Sequence, residues 1–220
     1  MGRVLFRFLV VTLAVLLWAL GGCVNLGKGT QQTTRFYVLY SLSSPVTGTE
    51  AARPKRDLAI GVGPVELPQY LNRSQIVTRA SRSELQVAEF ARWAEPLEEN
   101  LARVLAENLS ILLSTDRIAV YPWKRWTPID YQVTVDVTRF DGQPGGDVSL
   151  RARWTVLGDD GKKVLIRKQS NFSEPAGTLE YRDLVSAQSR MIAELSRQIA
   201  AEIKAVSQQV PDQAHPSGGQ

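Results

Sequence analysis

Between positions 131 and 156 the chain alternates apolar and polar residues with a period of two. Tyr131, Val133, Val135 and Val137 interleave with Gln132, Thr134, Asp136 and Thr138. Val148, Leu150, Ala152, Trp154 and Val156 interleave with Ser149, Arg151, Arg153 and Thr155. Successive side chains of a strand point to opposite faces, so this pattern predicts antiparallel strands covered on one face only. A third strand is expected over 163–172, with Gly- and Asp-rich hairpin turns at 141–146 and 158–161, where positive φ is tolerated. Further strands are expected at 35–40, 58–65 and 116–121. Two stretches change to helical spacing. Leu97, Leu101, Val104, Leu105, Leu109 and Leu112 form one stripe over 96–114. Leu184, Gln188, Met191, Ile192, Leu195, Ile199 and Val206 form another over 179–208. The pattern predicts an α+β fold: a mostly antiparallel sheet with two long amphipathic helices packed on one face.

The stretch from 67 to 97 joins the sheet to the first helix and carries unusual residues at its junctions. Pro68 marks a corner, Tyr70 and Leu71 a short turn, and Ile76-Val77 with Leu85 and Val87 a hairpin around 80–83. Pro96 suits a helix start because it lacks an N–H that would go unbonded there, and Glu95, Glu98 and Glu99 favour the positive end of the helix dipole. The run Leu67-Pro68-x-Tyr70-Leu71-x-Arg73-x-Gln75-Ile76-Val77, followed by Glu89-Phe90-x-x-Trp93-Ala94-Glu95-Pro96-Leu97, resembles the signature of the ABC-type transport auxiliary lipoproteins. These include the paraquat-inducible (PqiC-like) type that works with an MCE-domain lipid transport system. Asn72 stands where that family commonly has Asp, while Phe36-Tyr37-x-Leu39 extends the match toward the amino terminus. The resemblance implies an auxiliary subunit and brings no catalytic residues.

The first 23 residues have the layout of a secretory signal: Arg3 and Arg7, then a 13-residue apolar run over 8–20, then small residues. The run is shorter than the ~20 residues that cross a bilayer as a helix. An uncleaved anchor that also recruits Gly21, Gly22 and Val24 is the alternative. Leu20-Gly21-Gly22-Cys23 resembles a bacterial lipobox, which implies a diacylglyceryl group and an N-acyl chain on Cys23. Two or three acyl chains make attachment stable where one gives only marginal binding. Val24, in place of an Asp that would resemble an inner-membrane retention signal, favours the periplasmic face of the outer membrane. The expected organisation is a signal peptide at 1–22, a lipidated tether at 23–34, a periplasmic domain at 35–208 and a polar tail at 209–220.

Composition removes most chemistries. Cys23 is the one cysteine and His215 the one histidine, so disulfides within the chain, Cys/His metal clusters and histidine-based nucleophilic catalysis are excluded. Apart from Arg3 and Arg7 there are 24 basic and 22 acidic residues, too even a balance for a nucleic-acid surface. The basic cluster Arg53, Lys55 and Arg56 reads as a solvated loop, with lipid headgroups as the alternative. Glu84, Glu89, Glu95, Glu98 and Glu99 offer carboxylates for a hydrolase, but no pair stands out from a solvated helix start. No metal site and no cofactor beyond the lipid on Cys23 is expected.

Three tryptophans are the candidate contact residues. Trp93 is either a hydrophobic lid on the helix entry, favoured by its place beside a helix start, or a partner-binding aromatic. Trp123 and Trp126 flank Lys124 and Arg125 between Pro122 and Pro128, which marks a loop. That loop binds a partner or a lipid interface, or else its rings cover the edge of the core. The resemblance implies an MCE-domain protein and its inner-membrane partners, with phospholipid contact and a homo-oligomer both open. Acting by tethering and docking, the protein would help to maintain the envelope. The competing expectation is a lipoprotein that positions or activates a cell-wall or outer-membrane assembly enzyme.

Overall fold

β-Branched and aromatic runs become strands where their alternate residues find a common core. The computed structural model describes residues 33–42 and 57–209, all but Thr33 within one compact unit that begins at Thr34. The leader, Cys23, most of the tether, the basic cluster Arg53, Lys55 and Arg56, and the tail with His215 lie outside the described residues. The described elements are β1 (Arg35–Tyr37), β2 (Ile60–Glu66), a 3-10 turn (Gln69–Leu71), β3 (Gln75–Arg79), β4 (Leu85–Trp93) and α1 (Leu97–Leu113). After these come β5 (Ile118–Val120), β6 (Tyr131–Gly142), β7 (Asp147–Gly158), β8 (Lys163–Pro175) and α2 (Tyr181–Gln209).

The strands form two sheets, one of three strands in the order β1-β4-β3 and one of five in the order β5-β2-β6-β7-β8. The fold is α+β and mostly antiparallel, with parallel pairing of β2 to β5, β2 to β6 and β1 to β4. Each parallel pair is separated in sequence by other elements: β2 and β3 between β1 and β4, and β3, β4 and α1 between β2 and β5. These connections are long enough to return the chain to the same end of its sheet. In β6 and β7 the alternation is realised as expected, with Val133, Val135, Val148, Leu150, Ala152, Trp154 and Val156 all buried. Leu101, Val104, Leu105 and Leu109 of α1 meet Leu184, Met191, Ile192, Leu195 and Ile199 of α2 in the same core. Burying each such side chain contributes roughly 1.5–3 kcal/mol.

The first expected strand pairs over only part of its length. After Tyr37 the backbone leaves β4 and runs as a strap over the seam between the helices. The Leu39 N–H donates to Asn100 Oδ1 at 2.7 Å, and the Leu42 N–H donates to Asn108 Oδ1 at 2.7 Å. The Tyr40 N–H donates to Ser189 Oγ at 3.3 Å, and Asn108 Nδ2 donates to Ser196 Oγ at 3.1 Å. The order of these contacts shows that α1 and α2 run parallel. Leu39 is buried beneath the strap, whereas Val38 and Tyr40 face solvent.

A second departure concerns Asp141, expected in a hairpin turn. It is a strand residue and is 0% exposed. The pairing of β6 with β7 shifts at a bulge between Val137 and Arg139. The extra residue resets the alternation and points Phe140 inward. The turn is shortened accordingly, and its positive φ falls at Gly145; the next turn has positive φ at Asp159, Asp160 and Gly161.

Candidate functional site

The signature segment builds a buried ionic clasp. Pro68 opens the 3-10 turn that aims Tyr70 toward the end of β6, and β3 carries Arg79 to the same point. Arg79 grips Asp141 with two bonds, Nε to Oδ1 at 2.7 Å and Nη2 to Oδ2 at 2.9 Å. The Tyr70 hydroxyl donates to Oδ2 at 2.7 Å, and Arg139 Nε donates to Oδ1 at 3.1 Å. Burial alone would raise the Asp141 carboxyl. The hydrogen bonds from Arg79, Tyr70 and Arg139, with the Arg79 charge, outweigh it and hold the group below its ordinary value of 3.8. Burial, then the bond to Asp141, pushes Tyr70 up to about 12. The clasp spans the two sheets, from β3 of one to β6 of the other. It leaves the carboxylate with four donors and no room for a substrate, which is the arrangement of a structural lock.

Tyr70 makes the clasp sensitive to alkali. A raised folded-state value means that its contribution is complete below the ordinary 10.0 and is lost as pH rises toward about 12. Urea midpoints measured across that window should fall in the wild type. In Tyr70→Phe they should start lower and lack this component of the fall.

The three candidate tryptophans occupy different environments. Trp93 ends β4, is 5% exposed, and packs in the core ahead of α1. Trp123 is half-buried over β2: a Cβ on Gly61 would lie 2.9 Å from its ring, so the indole seats where no side chain competes. Tyr121 meets Trp123 edge-on with ring centroids 5.5 Å apart. Those contacts hold the loop that presents Trp126, which is 77% exposed. Lys124 Nζ lies 5.4 Å from the centre of the Trp126 ring, within cation–π range. Tyr121 and Val120 add exposed apolar surface beside it. The loop therefore offers an aromatic–cation contact surface on a fixed base. Trp93 and Trp126 are not brought together.

The carboxylates considered for catalysis are dispersed. Glu95 pairs with Arg103 at 2.5 Å, and Glu84, Glu89, Glu98 and Glu99 face solvent. Among the described residues no group of three or more His, Cys, Asp or Glu side chains could hold a metal ion. No described helix is long and apolar enough to cross a membrane.

Sequence reasoning missed Tyr70, Arg79, Arg139 and Asp141 as a unit, and Asn100 and Asn108 as strap anchors. Phe140 carried a signal for the first group, because an apolar residue three positions after Val137 breaks a period of two. Asn100 and Asn108 fall in phase with the apolar stripe of α1, where a polar residue must find a buried partner.

The family model described as "ABC-type transport auxiliary lipoprotein component" matches residues 40–200. The intermembrane transport lipoprotein PqiC of Escherichia coli is 27% identical over 165 residues, covering 75% of this chain and 85% of that protein. The PqiC of Shigella flexneri gives the same figures. A solved protein from Xanthomonas campestris shares the fold, with a TM-score of 0.64 at 17% identity, over 80% of this chain and 98% of that one. A solved protein described as uncharacterized aligns with a TM-score of 0.62 at 23% identity, over 78% of this chain and 99% of that one.

Proposed function

The chain belongs to the ABC-type transport auxiliary lipoprotein family, and from that premise we propose that it is a non-enzymatic docking subunit of an intermembrane lipid transport system. In this reading Cys23 carries diacylglyceryl and N-acyl chains, the mature protein sits on the periplasmic face of the outer membrane, and the domain docks on an MCE-domain partner. The inner-membrane components of that system drive or permit transfer, and docking helps to maintain the envelope. The observation that carries the docking role is the Trp126 loop. An exposed indole beside Lys124 and Arg125, fixed from below by Trp123, has the aromatic and cationic character of interaction hot spots. The clasp accounts by structure alone for Tyr70, Arg79, Arg139 and Asp141, and the core accounts for Trp93.

Crosslinking of the intact lipoprotein in its native envelope, followed by mass spectrometry, tests this reading. Capture of an MCE-domain protein is expected, with strong loss of capture in Trp126→Ser. That variant should change stability by no more than about 0.5 kcal/mol, because the ring is exposed. Capture only of peptidoglycan synthases or outer-membrane assembly proteins would overturn the transport reading in favour of a cell-wall role. Cys23→Ala should release the protein from the outer-membrane fraction; continued sedimentation there would remove the anchor.

A further inference from the structure

The described domain has two distinct ends. At one, the chain enters from the tether at Arg35, and both helices begin. Arg35 Nη1 lies 3.5 Å from Glu180 Oε2, the Tyr37 and Tyr181 rings are 6.3 Å apart, and the Ala94 N–H donates to the Tyr37 carbonyl at 2.9 Å. The β6–β7 turn reaches the same end: the Ala176 N–H donates to the Gly146 carbonyl at 2.8 Å, and Leu179 rests on Gly145. At the other end, Gly61 is paired with Gln132 of β6 and lies under Trp123. From Gln132 to Gly142 the strand covers roughly 33 Å, so the Trp126 loop stands far from the point of chain entry.

The entry end exposes two large apolar side chains that its own fold leaves uncovered. Leu179 is 80% exposed and Phe36 is 65% exposed. Leu179 sits on a built turn. The Glu180 N–H donates to Thr178 Oγ1 at 3.2 Å, Thr178 Oγ1 donates to Asp183, and Gly177 takes a positive φ. The flanking cations Arg35 and Arg182 are largely exposed and only loosely engaged, at 3.5 and 3.6 Å, by Glu180 and Asp183. The acidic first turns, Glu98 and Glu99 in α1 and Asp183 in α2, already answer the helix dipoles, so the dipoles are not the source of recognition here.

We propose that Phe36 and Leu179 enter the headgroup region of the phospholipid bilayer that holds the acyl chains of Cys23, with Arg35 and Arg182 meeting lipid phosphates. This rests on the lipid anchor proposed above. The length of chain between anchor and domain identifies the occupant. Residues 24–34 span at most about 40 Å when fully extended, so this end never lies farther than that from the bilayer that holds Cys23. The body then stands on the membrane by its entry end and directs the Trp126 loop away from it, toward a protein partner and not toward the anchoring lipid.

The test uses the purified lipidated protein in vesicles of phosphatidylethanolamine and phosphatidylglycerol. Acylation leaves Cys23 without a free thiol, so single probes can be placed through Phe36→Cys, Leu179→Cys, Trp126→Cys and Val164→Cys. Each variant carries an environment-sensitive fluorophore, and a fraction of the lipid carries a shallow nitroxide quencher. Positions 36 and 179 are expected to lose fluorescence and shift to the blue, and positions 126 and 164 to do neither. All four side chains are exposed, so folding should survive the labels. Lipidated protein whose probes at 36 and 179 behave like those at 126 and 164 overturns this proposal alone. Absence of the lipidated Cys23 peptide by mass spectrometry overturns the anchor and this proposal together.

Discussion

Replacing Asp141 with Asn is expected to destabilise the domain by about 3 kcal/mol, read as a lower urea midpoint. Removing one partner of a buried ion pair leaves the other charge uncompensated, at a typical cost of about 3–5 kcal/mol. The low end applies because the side chains of Arg79 and Arg139 remain 20% and 38% exposed and can draw on water. The same substitution should alter the response to acid. The folded-state carboxyl lies below 3.8, so its contribution is complete above that value and is withdrawn as pH falls through the lowered one. The amide introduced by Asp141→Asn has no such titration. Wild type and variant should therefore converge in stability at low pH, and a constant gap down to the acid limit would show that the clasp is not the stabilising element.

The second large effect is expected from Asn100→Ala combined with Asn108→Ala. Each asparagine is buried and satisfies a strap amide. A buried donor left without a partner costs about 1–3 kcal/mol, so the pair together should cost roughly 2–6 kcal/mol if the two sites act independently. The alternative for the chain is to release the strap into water, which would uncover Leu39. Amide hydrogen exchange separates the two responses. Fast exchange at Leu39, Tyr40 and Leu42 with protected helices means a released strap, whereas a uniform loss of protection means a weakened whole. Unchanged exchange at all three amides would remove the asparagines as anchors.

The elements with a simple period were legible in the sequence. The stripes of α1 and α2 and the alternation of β6 and β7 emerged where apolar spacing placed them, because burial of one face decides both helix phase and strand register. The hairpin of β3 and β4 was legible from two short apolar runs flanking the polar turn at 80–83. What escaped were the positions where two local rules compete. Asp141-Gly142 is turn chemistry by composition, yet the bulge after Val137 carries the strand through it and turns Asp141 inward. Phe36, Val38 and Tyr40 alternate like a strand, but after Tyr37 the amides that would pair with β4 are taken by Asn100, Asn108 and Ser189. A side chain that satisfies distant backbone is invisible to periodicity. The Trp loop was placed correctly as a loop at 121–128, while the division of labour between a seated Trp123 and a presented Trp126 depends on Gly61, sixty-two residues upstream of Trp123.

The strap also determines how a pull from the tether would reach the body. Traction at Arg35 directed along the strap meets the pairing of β1 with β4, the Leu39 plug, and the Asn100 and Asn108 bonds. These attachments lie side by side along the line of force, so they share the load in shear instead of parting one after another like a zipper. The load then passes into two parallel helices at their common seam. In the anchored reading proposed above, a membrane that drifts relative to a docked partner would thus load the β1–β4 pairing and the helix seam, away from β2 and the Trp126 loop.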